Sequence, residues 1–481
     1  MKFTKKKILT LIILIIIFLI VYSPHLNNPF PIHIDEYHHI TEAIKLKNGE
    51  YILKGTGVEL GFHFFLLIIS YLTNLTLTYK FLPAIWALIS AITLFYIVKF
   101  KTKNLKNSYL IAIFSIIFFV SIKSNTNITG LWFFTPLTFS IPFIFLYIYL
   151  FSEGIQKQNK KLITASLIII VFLIPIHSIS VLFAIPFLII YSLSNTNYIN
   201  YLKREYKFFS IFIAVPILGI LLYSQIMDLT IINSIKLLLV QLQFKQGWGV
   251  LELKNSFLEL YSPIGYILAI MGFLYIISSR TKFKKYLIYI LWPITLLAYI
   301  LIFRLTGISP LSPYQRNLYY FAISLPFLSS LGLYSIIKII KIKISNKTFY
   351  KTISLILIIA ILILTFQSYY KIPENIRLYK TIDNNNYQAL QFLSQFPPSK
   401  VMATAKISTA IFPITNKHKP VATLFFYGDR QQVENFFRST DCQTKNQIIT
   451  QNKVSYILSE KPINCNWEII YNKNNNIIYK V

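Results

Sequence analysis

Apolar runs of about 15 to 21 residues, close to the length that carries a helix through the hydrocarbon core of a bilayer, recur along most of this chain. They lie near residues 8–22, 81–98, 108–122, 131–151, 161–175, 177–195, 207–224, 262–279, 286–303, 318–337 and 351–370. Backbone amides inside lipid must be satisfied by the segment itself, so the pattern predicts a polytopic α-helical membrane protein with about 11 transmembrane helices. The 481 residues are 55% hydrophobic and only 13% charged. An ordinary soluble domain carries roughly a quarter charged residues, so soluble globular and disordered classes are excluded. One more stretch, Phe62–Thr73, has about 12 apolar residues; that is too few for a crossing and reads as a helix dipping into the interface.

A formal net charge of +30 would point to nucleic acid in a soluble chain. Here the excess collects in short loops between apolar runs, where the positive-inside rule puts it. With Lys2, Lys5, Lys6 and Lys7 in the cytoplasm, the clusters Lys99–Lys106, Lys157–Lys161, Lys203–Lys207, Arg280–Lys285 and Lys338–Lys351 all fall on the same side. Those loops contain only two acids, Glu153 and Glu205. Counting Phe62–Thr73 as a crossing would invert all five later clusters. The expected arrangement is therefore a multi-pass protein of the plasma membrane, N-terminus cytoplasmic, with residues 371–481 outside. Val21-Tyr22-Ser23-Pro24 lacks a small-x-small cleavage pattern, so the first run reads as an uncleaved anchor.

Two domains are expected: a transmembrane domain over 1–370, whose first outer loop is 23–80, and a soluble domain over 371–481. After about Tyr370, Asn, Gln, Thr and charged residues rise and apolar runs shorten. Residues 386–396 and 430–438 read as helices and 400–405, 421–427 and 454–458 as strands, with a closing hairpin of 467–471 and 477–481. Interleaved helices and strands indicate a small extracytoplasmic α/β domain. In an oxidising compartment its two cysteines, Cys442 and Cys465, could pair across a loop of about 23 residues; two buried free thiols are the alternative.

Long outer loops on a packed scaffold are where function collects. The first carries His33-Ile34-Asp35-Glu36-Tyr37-His38-His39, the densest ionisable cluster in the chain. Read blandly, Asp35 caps a helix, Glu36 complements its dipole and the histidines decorate the interface. The setting favours a functional reading, because the doublet follows the first apolar run directly in a chain with few acids. The second loop holds Gly247-Trp248-Gly249, and Trp248 suits either sugar stacking or simple anchoring at the interface. The third, 304–317, holds Arg304 and Arg316, the only arginines in the outer loops of the membrane half. A guanidinium fork fits phosphate oxygens, although snorkelling from a helix end explains an arginine equally well. His177 sits at the outer end of the sixth run, 177–195, where a ligand role and a bland interfacial one are both open. Asn74-Leu75-Thr76 and Asn127-Ile128-Thr129 are acceptor sequons if the host glycosylates. P-loop, GxSxG and HExxH motifs are missing, so no nucleotide cofactor, serine hydrolase or zincin chemistry is expected.

The layout resembles the GT-C superfamily of integral membrane glycosyltransferases, which includes protein O-mannosyltransferases and the lipid A aminoarabinose transferase. Four features carry the resemblance: His33-Ile34-Asp35-Glu36-Tyr37 after the first span, the short apolar segment that follows, Tyr314-Gln315-Arg316-Asn317 opening a late span with Pro326, and an outer C-terminal domain. The resemblance implies transfer of a sugar, hexosyl or pentosyl, from a polyprenyl-phosphate carrier to a protein, lipid or glycan acceptor at the outer membrane face. It also implies Asp35 as the catalytic carboxylate of an inverting displacement, Glu36 orienting it or helping to hold a divalent cation, and Arg304 and Arg316 on the lipid phosphate. His39, His177 and Trp248 are accessory candidates. A metal role for His33, His38 or His39 and a divalent metal as cofactor are further candidates; the partners would be the lipid-linked donor, the acceptor and the membrane, not nucleic acid. No WWDxG motif stands in the outer domain, which argues against block transfer of an oligosaccharide to asparagine. A transporter or flippase is the competing class, but it would place charges or broken helices near mid-membrane, and the apolar runs here are nearly free of ionisable residues. A non-catalytic scaffold with an outer binding domain is the third reading.

Overall fold

The computed structural model describes residues 5–26, 28–51, 59–124, 130–194, 210, 217–218, 220–221, 224–225, 228–245, 260–343, 346–367 and 380–481. Among these, six helices are long and apolar enough to cross a membrane: Lys6–His25, Leu75–Lys101, Pro136–Lys157, Lys160–His177, Arg280–Thr306 and Tyr314–Lys343. Shorter apolar helices lie at Leu60–Leu72, Ser108–Val120, Ile179–Leu193, Pro263–Ile277 and Lys351–Leu364. The expected run at 207–224 falls mostly outside the described residues, as does Trp248. At 13 residues the Leu60–Leu72 helix is about 20 Å long, short of a hydrocarbon core of about 30 Å.

Two boundaries differ from the sequence expectation. The run from 131 becomes helical only at Pro136, because Leu131–Thr135 is held as a loop: Thr138 Oγ1 donates to the Phe133 carbonyl at 2.9 Å and accepts from the Thr135 amide at 2.9 Å. The run 177–195 divides into Ile179–Leu182 and Ile185–Leu193, and Pro186 opens the second piece, where its missing N–H costs nothing.

The chain forms two compact units. One comprises Met1–Ile17, Ala87–Gly130 and Phe139–Tyr370. Its tightest helix crossing pairs Pro263–Ile277 with Tyr314–Lys343: a Cβ on Gly272 would collide with the Leu328 carbonyl, and one on Gly332 with the Leu268 carbonyl. Only glycine allows backbones to approach this closely, the usual device where apolar packing cannot itself drive association. A two-stranded antiparallel ribbon, β1 (Gln243–Lys245) with β2 (Ile308–Pro310), ties the second long loop to the third.

The other unit comprises Phe18–Trp86, Leu131–Thr138 and Lys371–Val481, so it takes in the first long loop as well as the C-terminal segment. Its sheet contains β3 (Lys400–Ala403), β4 (Lys419–Pro420), β5 (Val454–Ser459), β6 (Glu468–Lys473) and β7 (Asn476–Lys480), in the order β4-β3-β5-β7-β6. Pairing is parallel for β4-β3-β5 and antiparallel for β5-β7-β6. Strand alternation sends Val401, Ala403, Tyr456, Leu458 and Ile478 against helices Asn384–Leu393 and Ala405–Thr415, and Met402, Ile457, Ile477 and Tyr479 against helices Arg430–Arg438 and Cys442–Asn452. Phe30 and Tyr37 of the first long loop complete the former core. Cys442 and Cys465 are joined as a disulfide, their Cα atoms 5.7 Å apart.

The strand expected over 421–427 is a correction: only Lys419–Pro420 pair with β3, and 421–427 turns back on itself, the Thr423 amide donating to the Tyr427 carbonyl at 2.8 Å. Gly428, at φ +71°, closes that turn against the Val421 carbonyl, leaving Phe425, Phe426 and Tyr427 exposed. Helices Ala405–Thr415 and Cys442–Asn452 were not anticipated; Pro413 and an Asn/Gln/Thr-rich sequence masked their periodicity.

Candidate active site in the first long loop

The Ile34–Lys47 helix begins where the chain leaves an extended His33. The bland expectation made Asp35 the cap; the structure gives that place to His33, whose Nδ1 accepts the Asp35 amide at 3.1 Å. Glu36 completes the capping box and does more than a box requires. Its Oε2 accepts from the amides of Ile32, at 2.8 Å, and His33, at 2.9 Å, while Oε1 accepts from the Phe134 amide at 2.9 Å. Tyr79 donates its hydroxyl to the carbonyl of the same Phe134, and Thr381 Oγ1 to that of Ile32 at 3.0 Å. Glu36 is fully buried, and burial pushes its carboxyl up to about 7 against the opposing pull of these three amides. The residue therefore fixes two loops to one helix start.

Asp35, its neighbour, stays accessible, with 28% of its side chain exposed and Oδ2 3.4 Å from His33 Nδ1. A partly exposed carboxylate on a rigid helix start can accept a proton from a bound nucleophile, and the geometry separates it cleanly from the structural acid beside it.

One turn further on, His39 points into the same unit. Its Nδ1 lies 3.1 Å from His63 Nε2 and 3.7 Å from Glu59 Oε2. His63 Nδ1 is 3.0 Å from the Tyr51 hydroxyl. Burial, with His38 and Lys45 nearby, lowers His63 to about 3, so this imidazole is neutral at physiological pH. His38 stacks on Phe426, ring centroids 4.0 Å apart. The sequence reading named His39 but missed Tyr51, Glu59 and His63. A signal existed: His63 is the only ionisable group besides Tyr71 in the apolar helix Leu60–Leu72.

Arg304, Arg316 and His177 belong to the other unit and form a cluster of their own. Arg304, in the last turn of its helix, donates from Nε to the Tyr314 hydroxyl at 3.0 Å, while Tyr314 stacks on Phe303. Arg316 lies in the first turn of the helix that Tyr314 opens, so the two arginines flank in sequence the junction that Gly307, at φ +70°, allows. His177 Nδ1 is 2.6 Å from Ser180 Oγ, which is 2.9 Å from the Tyr320 hydroxyl, and the positive field of Arg316 reaches both His177 and Tyr320. The structure thus brings Arg304, Arg316 and His177 into one region, with Ser180 and Tyr320 as members that sequence reasoning missed.

No protein-family model and no curated protein sequence matches the chain. Solved structures do. It is similar to the archaeal oligosaccharyltransferase AglB from Archaeoglobus fulgidus in complex with an inhibitory peptide and a dolichol-phosphate, with a TM-score of 0.60 and 12% identity over 95% of this chain and 70% of that one. It is similar to an Archaeoglobus fulgidus oligosaccharyltransferase tethered with an acceptor peptide, with a TM-score of 0.58 and 12% identity over 94% of this chain and 69% of that one. It is also similar to that enzyme's complex with Zn and sulfate, with a TM-score of 0.55 and 12% identity over 93% and 68%. At such identity the likeness is one of fold, and the chain has the GT-C fold of these membrane enzymes.

Proposed function

We propose that this chain is a glycosyltransferase that moves a sugar from a polyprenyl-phosphate-type carrier to an acceptor at the outer face of the membrane. The observation that carries the reading is the fold, shared over 95% of the chain with an enzyme solved in complex with a dolichol-phosphate. In the reaction the acceptor's hydroxyl or amide attacks the anomeric carbon and its proton passes to the Asp35 carboxylate. The bond from that carbon to the phosphate oxygen breaks, the electron pair leaves with the phosphate, and the configuration inverts. Arg304 and Arg316 would bind the phosphate and stabilise the charge developing on it. Glu36 is a positioning residue, since both its oxygens are already engaged by backbone amides. A hexosyl or pentosyl unit fits the lack of WWDxG better than block transfer does, as in the O-mannosyltransferase and aminoarabinose transferase branches.

Asp35→Asn tests the reading. In membranes supplied with polyprenyl-phosphate sugars, transfer should fall by about a hundredfold or more while expression and unfolding stay unchanged, because a positioned general base contributes about 10² to 10⁴ in rate. Retained transfer would refute the assignment of Asp35.

A further inference from the structure

His39, Glu59 and His63 come from two helices and the residue that caps the second, and their donor atoms all lie within 4.8 Å of one another. We propose that these three side chains bind one divalent transition-metal ion of zinc-like character. Ligands of a tetrahedral zinc ion, at about 2.0–2.2 Å from the metal, stand about 3.3–3.5 Å apart. Two of the three separations, 3.1 Å and 3.7 Å, bracket that edge and the third lies within 4.8 Å, so modest side-chain adjustment brings the three donors onto one ion.

The surroundings supply what such a site requires beyond its ligands. Tyr51 meets His63 at Nδ1, the ring nitrogen turned away from the cluster, and so leaves Nε2 for the metal; this is the outer-shell hydrogen bond that orients a metal-bound imidazole. Both imidazoles are buried, and Phe62 packs edge-on to His39 with ring centroids 5.1 Å apart, which keeps the ring from swinging away. Two imidazole nitrogens and one carboxylate oxygen suit zinc, cobalt or nickel rather than magnesium or calcium, which prefer all-oxygen shells. Three protein ligands leave a fourth position for water or another oxygen ligand. His39 follows Asp35 by one helical turn on the same helix face, so the ion would lie beside the accessible carboxylate. The competing explanation of the short nitrogen–nitrogen distance is a plain hydrogen bond between two neutral imidazoles. The inference concerns binding and holds whether or not the chain transfers sugar.

The full chain, purified in detergent, stripped with a chelator and dialysed against zinc, should retain a single ion per molecule by elemental mass spectrometry and keep it against excess magnesium. Cobalt in its place should give the strong visible absorption of a low-coordinate site. Glu59→Gln alters a partly exposed side chain, so it should leave unfolding unchanged and weaken zinc binding at least about tenfold; Tyr51→Phe should weaken it by a similar factor while preserving the cobalt spectrum. Wild-type protein holding no zinc above the dialysis blank would overturn the proposal. So would Glu59→Gln, or a folded His39→Gln/His63→Gln variant, binding zinc with wild-type affinity.

Discussion

Both polar clusters are buried among apolar side chains, yet they are built on opposite principles. Around Glu36 one side chain serves three backbone amides. Around Ser180 three side chains serve one another: His177, Ser180 and Tyr320 lie within 3.4 Å, and any two can meet without the third. A clamp of the first kind fixes the backbone and fails as a whole, whereas a network of the second kind rearranges. The clamp is what a reacting carboxylate at the adjacent position needs, because placement errors of an ångström are costly in catalysis.

The sharpest way to break the contrast is Glu36→Ala. Three buried N–H groups would lose this acceptor, and each orphaned donor costs about 1–3 kcal/mol, so the variant should lose about 3 kcal/mol or more of stability in chemical unfolding at pH 5. A loss below about 1 kcal/mol would mean that the loops at Ile32 and Phe134 hold without it.

Acidity sharpens the same point at slightly smaller amplitude. Because burial raises the Glu36 carboxyl to about 7 from an unfolded value of 4.5, the folded chain holds a proton that the unfolded chain releases within this window. Its contribution is fully present below about pH 4.5 and is lost as pH rises through about 7, a span of about 3 kcal/mol. Glu36→Gln removes that titration, so the stability difference between wild type and variant should shift in favour of the variant between pH 4.5 and 7. A difference flat with pH would show the three amides outweighing desolvation and keeping the acid ionised throughout.

The sequence revealed the clamp only in part, for physical reasons. Apolar periodicity marks helices that face lipid or core, so the helices at 160–177, 263–277 and 280–306 were legible. The Asp35–Glu36 doublet was visible as a rare acidic pair, but the split of roles inside it was not. That split depends on Phe134, about a hundred residues away, whose amide reaches Glu36 only through tertiary folding. The same holds for His39 and His63, whose 24-residue separation fits no local metal spacing. In the C-terminal segment, Val421–Tyr427 has a strand's composition and a turn's structure, because Gly428 and a local hydrogen bond override β propensity. The arginines were picked out by residue type and by their place in the third outer loop; their link through Tyr314 is a feature of the fold.

The smallest expected effect lies in the relay. Ser180→Ala removes the hydroxyl between His177 and Tyr320, but the Tyr320 hydroxyl already stands 3.4 Å from His177 Nδ1 and can close the gap. The cost should be about 1 kcal/mol or less, in line with interhelical polar contacts in membranes, which average about 0.6 kcal/mol. Tyr320→Phe should cost a similar amount, and the double variant at least as much as the two together, because each single change leaves a pair that the second destroys. Tyr320 also stacks on Phe183 at 4.0 Å, an interaction that phenylalanine preserves, so the comparison isolates the hydroxyl. Unfolding of the detergent-solubilised protein measures all three. If Ser180→Ala proved as damaging as Glu36→Ala, the relay would be a clamp as well, and the accessible carboxylate would lose its claim to the more rigid support.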